Sequence, residues 1–125
     1  MAQMHEKRIF QELASLLALI APENWISLLS VYVSHDGAMK LKHYVKVGPR
    51  SDWRILNTGS VGFDIMDWWQ NYQRLVKDAE RNEFKFAKAQ IDQSGHLQMG
   101  LSYEAVDPLS DTDILRIAES LSESN

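Results

Sequence analysis

The segment from Met39 to Val47 alternates apolar and polar side chains with a period of two residues. This period places successive side chains on opposite faces of a β-strand, so one face is buried and the other is polar. An Asp36-Gly37 dipeptide precedes the segment, and Asp-Gly is typical of a turn between two strands. Upstream, residues 25–34 are rich in branched and aromatic side chains. The sequence therefore predicts a β-hairpin and, with it, an antiparallel sheet.

A second hairpin is predicted further along the chain, over residues 84–104. Its turn is Asp92-Gln93-Ser94-Gly95, and alternating apolar residues follow this turn. In the arm before the turn, Phe84 and Phe86 are in phase with each other but not with the apolar residues after them. We therefore expect one extra residue, a β-bulge, near Phe86.

Three segments have the apolar spacing of amphipathic helices, namely residues 3–20, 64–81 and 111–121. Pro22 ends the first helix, because the residue before a proline avoids the helical conformation. Asp64 is the expected N-cap of the second helix, since its side chain can accept a hydrogen bond from a free backbone N–H there.

These elements together predict one α+β domain that covers residues 1–125. The expected order is α-β-β-(β)-α-β-β-α, in which the bracketed element is a short strand over 53–56. Because short turns join the strands of each hairpin, the sheet should be mostly antiparallel, with the helices packed on one face. Residues 122–125 are expected to fray after the last helix.

Composition limits the compartment and the partners. The chain of 125 residues contains no cysteine, which excludes a disulfide scaffold and a cysteine nucleophile. It opens without an apolar signal sequence, and no apolar stretch approaches the ~20 residues of a membrane span, so we predict a cytoplasmic protein without membrane contact. The net charge is −4, yet residues 92–125 hold seven acidic residues and one basic residue, a formal charge of −6. This end would repel nucleic acid and attract a basic protein.

The residues that most often carry catalysis are scattered. The four histidines lie far apart, and none has the spacing of a paired metal site. His43 shares a strand face with apolar residues, which favours a core or cross-strand histidine, whereas His35 and His96 flank turns. Asp64 and Asp67 have a spacing that suits a shared metal, but helix capping is the simpler explanation. We predict no catalytic residue, no metal and no cofactor; a small enzyme that gathers some of these side chains is the alternative.

The polar face of the Met39–Val47 strand is basic. Lys40, Lys42 and Lys46 lie on it together with Tyr44. A basic strand with an aromatic residue can hold single-stranded nucleic acid, because bases stack on the ring. Lysines on a solvated strand also protect a sheet from aggregation, and the net negative charge favours that interpretation. A nucleic-acid-binding module that uses this face is the alternative function.

Trp68 and Trp69 are adjacent in the second predicted helix, so their side chains point about 100° apart. Both can be buried only at a broad interface. Core packing of both rings is one interpretation. In the other, one ring covers the sheet and its neighbour anchors a partner, because tryptophan is enriched in the hot spots of interfaces.

Several short motifs occur in an order that resembles a known family. They are Ile20-Ala21-Pro22-Glu23-Asn24-Trp25 after an amphipathic helix, then Asn82-Glu83-Phe84, the hairpin Ile91-Asp92-Gln93-Ser94-Gly95-His96-Leu97, and Leu101-Ser102-Tyr103-Glu104. The chain resembles the YezG-like immunity family, small bacterial proteins that neutralise the toxins of polymorphic or contact-dependent systems. This resemblance implies a non-enzymatic, cytoplasmic inhibitor that binds one delivered toxin domain, frequently a nuclease, one-to-one.

The resemblance carries no catalytic residues, so the contact residues are predicted from charge. A basic nuclease would meet the acidic end of the chain, where complementary charge speeds encounter and selects the partner. Homodimerisation through a free strand edge is a further alternative. We expect the toxin to contact Glu104, Asp107, Asp111 and Asp113, with Trp68 or Trp69 as an apolar anchor.

Overall fold

The computed structural model describes residues 2–35, 37–48, 52–104 and 111–121. Within these ranges, three helices and five strands follow one another in the predicted order, so the α+β class is confirmed. The expected fraying of residues 122–125 falls outside the described part. The elements are α1 (Ala2–Ile20), β1 (Ser27–His35), β2 (Ala38–Lys46), β3 (Arg54–Ile55), α2 (Val61–Glu80), β4 (Phe86–Asp92), β5 (Leu97–Ser102) and α3 (Asp111–Ser120).

The five strands form one antiparallel sheet in the order β3-β2-β1-β4-β5. The two predicted hairpins supply β1 with β2 and β4 with β5. A ladder between β1 and β4, which begins with Ser27 opposite Asp92, joins them. Gly37 has a φ of 79° in the first turn, a conformation that glycine adopts without strain, while Asp36 lies outside the described residues.

Helices α1 and α2 cover one face of the sheet. The buried aromatic stripe of α2 packs against Leu28 and Tyr32 of β1, and α1 adds Leu13 and Leu17 to the same cluster. Removing each such side chain from water contributes roughly 1.5–3 kcal/mol. The α2 residues buried in this cluster are Ile65, Trp68, Trp69 and Tyr72.

Helix α3 packs on the opposite face of the sheet. Its Ile114 and Ala118 are buried in a second cluster that includes Leu29 and Val31 of β1. Because successive strand residues point to opposite faces, β1 contributes alternately to the two clusters and is covered on both sides. The expectation that all helices pack on one face is therefore wrong for α3, and the sheet is the middle of three layers.

The predicted irregularity near Phe86 is confirmed. The register places Phe86 opposite Ser102, and the N–H of Lys85 also donates to the carbonyl of Ser102 at 2.8 Å. Two residues thus oppose one, which is the arrangement of a β-bulge. Consequently Phe84 packs with the cluster under α1 and α2, whereas Phe86 packs with the cluster under α3.

Helix α2 begins three residues before the predicted start. Its N-cap is Ser60, so Asp64 lies in the first turn and the expectation that Asp64 caps the helix is wrong. Ser60 makes no side-chain hydrogen bond to the helix, and Val61, Gly62 and Phe63 after it add almost one turn. In the first turn, Asp64 still meets the positive end of the helix dipole. Its carboxylate is exposed there instead of being held by the backbone.

The turn between β4 and β5 is held by one carboxylate. Asp92 Oδ1 accepts hydrogen bonds from the backbone N–H groups of Ser94 and His96, at 3.0 and 3.2 Å, and from the Ser94 hydroxyl. That hydroxyl is the main reason why the pKa of Asp92 is lowered. Gly95 closes the turn with a φ of 89°.

Candidate functional site

The predicted acidic contact residues are only partly described by the structure. Glu104 is exposed just after β5. Asp113, in the first turn of α3, forms an ion pair with Arg116 at 3.0 Å. Asp107 and the side chain of Asp111 lie outside the described residues, so their role in toxin binding stays a prediction.

Trp68 and Trp69 are both part of the core. Their exposed fractions are 6% and 0%. The indole N–H of Trp68 donates to the carbonyl of Ile9 in α1, and that of Trp69 donates to Ser30 Oγ in β1, both at 2.9 Å. Because α2 packs against α1 on one side and the sheet on the other, both rings find a covered surface. Both rings therefore belong to the core, and the expected role of either ring as an anchor for a toxin stays a prediction.

His43 is the cross-strand histidine that the sequence indicated. It lies directly opposite Ser30 in the β1–β2 ladder, with Nε2 2.9 Å from the Ser30 hydroxyl, and is 4% exposed. Burial lowers the pKa of His43 to about 4, so the ring is neutral at pH 7. The Ser–His pair has the atoms of a hydrolase dyad, but Ser30 is fully buried and accepts a hydrogen bond from Trp69. A substrate cannot reach it, and the three side chains form a polar core network.

The other candidate catalytic groups are not gathered. His96 is exposed beside the second turn, and the side chain of His35 lies outside the described residues. Within the part of the chain that the structure describes, no three His, Asp or Glu side chains could hold a metal together. Asp64 and Asp67 remain on one exposed side of α2 without a third ligand of this kind.

The basic strand face is partly covered. Tyr44, the aromatic residue expected to stack on nucleic-acid bases, is 2% exposed and buried in the cluster under α3. Lys46 places its Nζ 4.7 Å from the ring centroid of Trp53, a cation–π contact within the chain. The face therefore lacks an accessible ring at Tyr44.

A groove of about 720 Å³ lies between α1 and α2. Its lining residues recur every three or four positions on each helix, so each helix contributes one continuous stripe. We call this the acidic groove. It is lined by Arg8, Gln11, Glu12, Ser15, Leu16 and Leu19 of α1 and by Asp64, Asp67, Trp68 and Asn71 of α2.

Three carboxylates dominate the charge of the acidic groove. Glu12, Asp64 and Asp67 are exposed, and among the described residues none of them forms a hydrogen bond or an ion pair. Arg8 is the single basic residue in the lining. The apolar part includes Leu16, half-buried, and Leu19, which is 72% exposed.

Some other acidic residues of the described chain are engaged internally, whereas others, such as Glu23 and Asp78, are exposed. Glu83 forms ion pairs with Lys85 at 3.2 Å and Lys77 at 3.5 Å, and the hydrogen bond from Lys85 is the main cause of its lowered pKa. Asp92 accepts hydrogen bonds in its turn, and Asp113 has a paired arginine. What distinguishes the groove carboxylates is that three of them, unpaired among the described residues, line one surface together.

The sequence indicates Asp64 and Asp67 as a pair but does not indicate the groove. The signal was present: Glu12 lies on the polar side of the first helical pattern, and the aspartates share one side of the second. What was missing is the packing of α1 beside α2, which brings the two sets together. A second cavity, of about 460 Å³, lies beside α1 toward β1 and β4, and its lining has no charged side chain.

A scan of the chain against protein-family models finds no match, and a comparison with curated proteins finds none either. The resemblance to the YezG-like immunity family therefore stays a prediction from the sequence. Among the helices described, none is long and apolar enough to cross a membrane. The acidic groove gathers three carboxylates beside the exposed Leu19 on one surface of the described chain.

Proposed function

We propose that this protein is a stoichiometric inhibitor that binds a basic toxin domain and blocks it by occlusion. The acidic groove is the observation that carries the proposal. Its three carboxylates have no partner among the described residues, and they border Leu19, which is exposed, and Leu16, which is half-buried. Such a surface offers both charge and apolar contact to a cationic protein.

The groove carboxylates are available to a partner because they are unpaired among the described residues. Carboxylates already paired inside a protein must give up a partner before they can bind a new one, whereas Glu12, Asp64 and Asp67 need not. Charges at an interface mainly raise the association rate and select the partner, while apolar contact slows dissociation. The apolar lining of the groove, Leu16 and Leu19, supplies the second contribution.

The resemblance to immunity proteins supports the same proposal independently of the groove, and it specifies the toxin class as frequently a nuclease. The alternative of a nucleic-acid-binding module is less well supported. It relied on base stacking at Tyr44, and that ring is buried. The groove carboxylates would in addition repel phosphate groups.

The first experiment is capture of partners by the tagged full-length chain from its native cell, at low and at moderate salt. Intact mass identifies what is eluted and in what ratio. We expect one basic protein, bound one-to-one, whose expression alone arrests growth and whose toxicity is relieved by co-expression of this chain. Recovery of nucleic acid that moderate salt releases, with no toxic protein, would contradict the proposal.

Three triple variants locate the interface, and each removes three negative charges without changing side-chain shape much. The groove variant should lose protection of growth, whereas the control variant should keep it. Loss of protection in the tail variant alone would place the toxin on the acidic end instead. The groove variant is Glu12→Gln, Asp64→Asn and Asp67→Asn; the tail variant is Asp107→Asn, Asp111→Asn and Asp113→Asn; and the control variant is Glu23→Gln, Asp78→Asn and Glu119→Gln.

A further inference from the structure

We infer that the acidic groove receives a single cationic, amphipathic helix of the partner, with its lysine or arginine side chains on the groove carboxylates and its apolar side on Leu16 and Leu19. This inference rests on the proposed function and specifies which part of the toxin is bound. Its basis is the shape of the groove, the distribution of charge along it, and the exposure of its apolar residues.

The shape of the groove suits a helix. The α1 stripe runs from Arg8 to Leu19, about 16 Å along the helix axis, and the α2 stripe from Asp64 to Asn71, about 10 Å. A groove between two neighbouring helices is a surface into which the side-chain ridge of a third helix can pack. An amphipathic helix that lies in such a groove contacts it through residues spaced three and four apart. About three turns of helix would fill the length of the α1 stripe.

The charge of the groove selects a cationic helix. Three carboxylates face one guanidinium, that of Arg8, so an acidic or neutral helix would leave the carboxylates unpaired under a covering surface. Desolvating unpaired charge is costly, whereas a lysine or arginine opposite each carboxylate offsets that cost. Asp64 and Asp67 are three residues apart in α2 and therefore neighbours on its surface, which suits two cations on one side of the incoming helix.

The apolar part of the groove distinguishes a helix from a small cation. Leu19 is 72% exposed although it belongs to the same α1 stripe as Glu12 and Leu16. A polyamine would satisfy the carboxylates but leave Leu19 in water. An amphipathic helix can satisfy both, because its apolar stripe covers Leu19 while long lysine or arginine side chains that flank the stripe reach the carboxylates.

The test needs no toxin, since synthetic peptides can serve as probes. One is an amphipathic helix of about 14 residues with leucine on one side and lysine on the other, and a matched peptide has glutamate in place of lysine. Binding to the ¹⁵N-labelled full-length chain is followed by NMR. Trp68 is part of the groove lining and its indole N–H donates to the carbonyl of Ile9, whereas the indole N–H of Trp69 is bonded to Ser30 in the core. We expect the lysine peptide to shift the Trp68 signal in a saturable way and to shift the Trp69 signal less, because the Trp69 ring contacts Trp68 but does not line the groove.

The triple variants supply the matched comparison. The groove variant should bind the lysine peptide about tenfold more weakly, and the control variant, which has the same net charge, within about twofold of the unchanged chain. Equal weakening of both variants would show attraction by net charge and overturn the inference. An unmoved Trp68 signal, or the same shift produced by spermidine at equal concentration, would overturn it as well.

The peptide assay tests the helix-binding site, and the growth assay tests the proposed function. Peptide binding in the groove without any growth protection would support the helix-binding site and contradict the proposed function as a toxin inhibitor. Growth protection that survives in the groove variant would support the inhibitor and refute this site.

Discussion

The stability of this protein should fall as the pH drops from 7 to 5 because of one buried residue, His43. Its ring is 4% exposed, and burial lowers its pKa from 6.5 to about 4. The unfolded chain therefore binds a proton on this side chain at a pH where the folded chain does not. The contribution of the neutral His43 ring to the free energy of unfolding is therefore fully present above pH 6.5, and it is lost as the pH falls from 6.5 through 4.

The magnitude follows from the two pKa values of His43. The gap between 6.5 and about 4 corresponds to about 3 kcal/mol in total. Between pH 7 and pH 5 the expected loss is about 2 kcal/mol. This window suits the measurement because aspartate and glutamate in unfolded chains titrate mostly below about pH 5, so they contribute little to the difference.

Urea unfolding at pH 7 and pH 5 measures the loss. His43→Gln should abolish most of the difference between the two pH values, whereas His96→Gln, at an exposed histidine, should leave it unchanged. If His43→Gln does not fold, NMR titration of the protein without substitutions reports the pKa of the His43 ring directly. A pKa near 6.5, or a pH dependence that survives in a folded His43→Gln variant, would refute the reasoning.

Three further substitutions test the packing. Ser30→Ala removes the hydrogen-bond partner of two buried ring nitrogens, and it should lower the free energy of unfolding in urea by about 2–3 kcal/mol. Ser15→Ala, at an exposed position of α1, should lower it little, and equal effects of the two substitutions would contradict the polar core network. Ile114→Ala should cost about 2–4 kcal/mol, and a cost below about 1 kcal/mol would mean that α3 does not cover the sheet. Gly95→Ala should cost about 1 kcal/mol because of its positive φ, and an unchanged unfolding midpoint would argue against that turn.

Much of the fold was predictable because its signals are local. The alternation from Met39 to Val47, the Asp-Gly turn and the helical spacing each depend on neighbours in sequence, and all the predicted elements occur in order. The bulge was predictable for the same reason, since a change of phase between Phe84 and Ala87 can be detected without a partner strand.

The errors concern contacts between distant elements. Tyr44 lies between lysines in the sequence, so the sequence predicted that its side of the strand is exposed to solvent. In the structure its ring is covered by α3, which is distant in sequence. The extent to which Trp68 is buried was not predictable, because nothing in the sequence shows that α1 lies beside it. The acidic groove has the same origin: Leu19, the last residue of its α1 half, and Asp64, the first residue of its α2 half, are 45 positions apart, and only tertiary packing brings the two halves together.

The central place of β1 also decides the order in which the chain can assemble. The hairpins β1–β2 and β4–β5 are local and can form within microseconds, whereas the β1–β4 ladder must close a loop that contains β2, β3 and all of α2. We expect this closure to limit the folding rate. Until it happens, β1 and β4 each present an open edge with apolar side chains, so a refolding chain at high concentration can pair with another molecule there. The β1–β4 ladder, which joins the two hairpins in the native sheet, is therefore also the place where pairing with another molecule would begin.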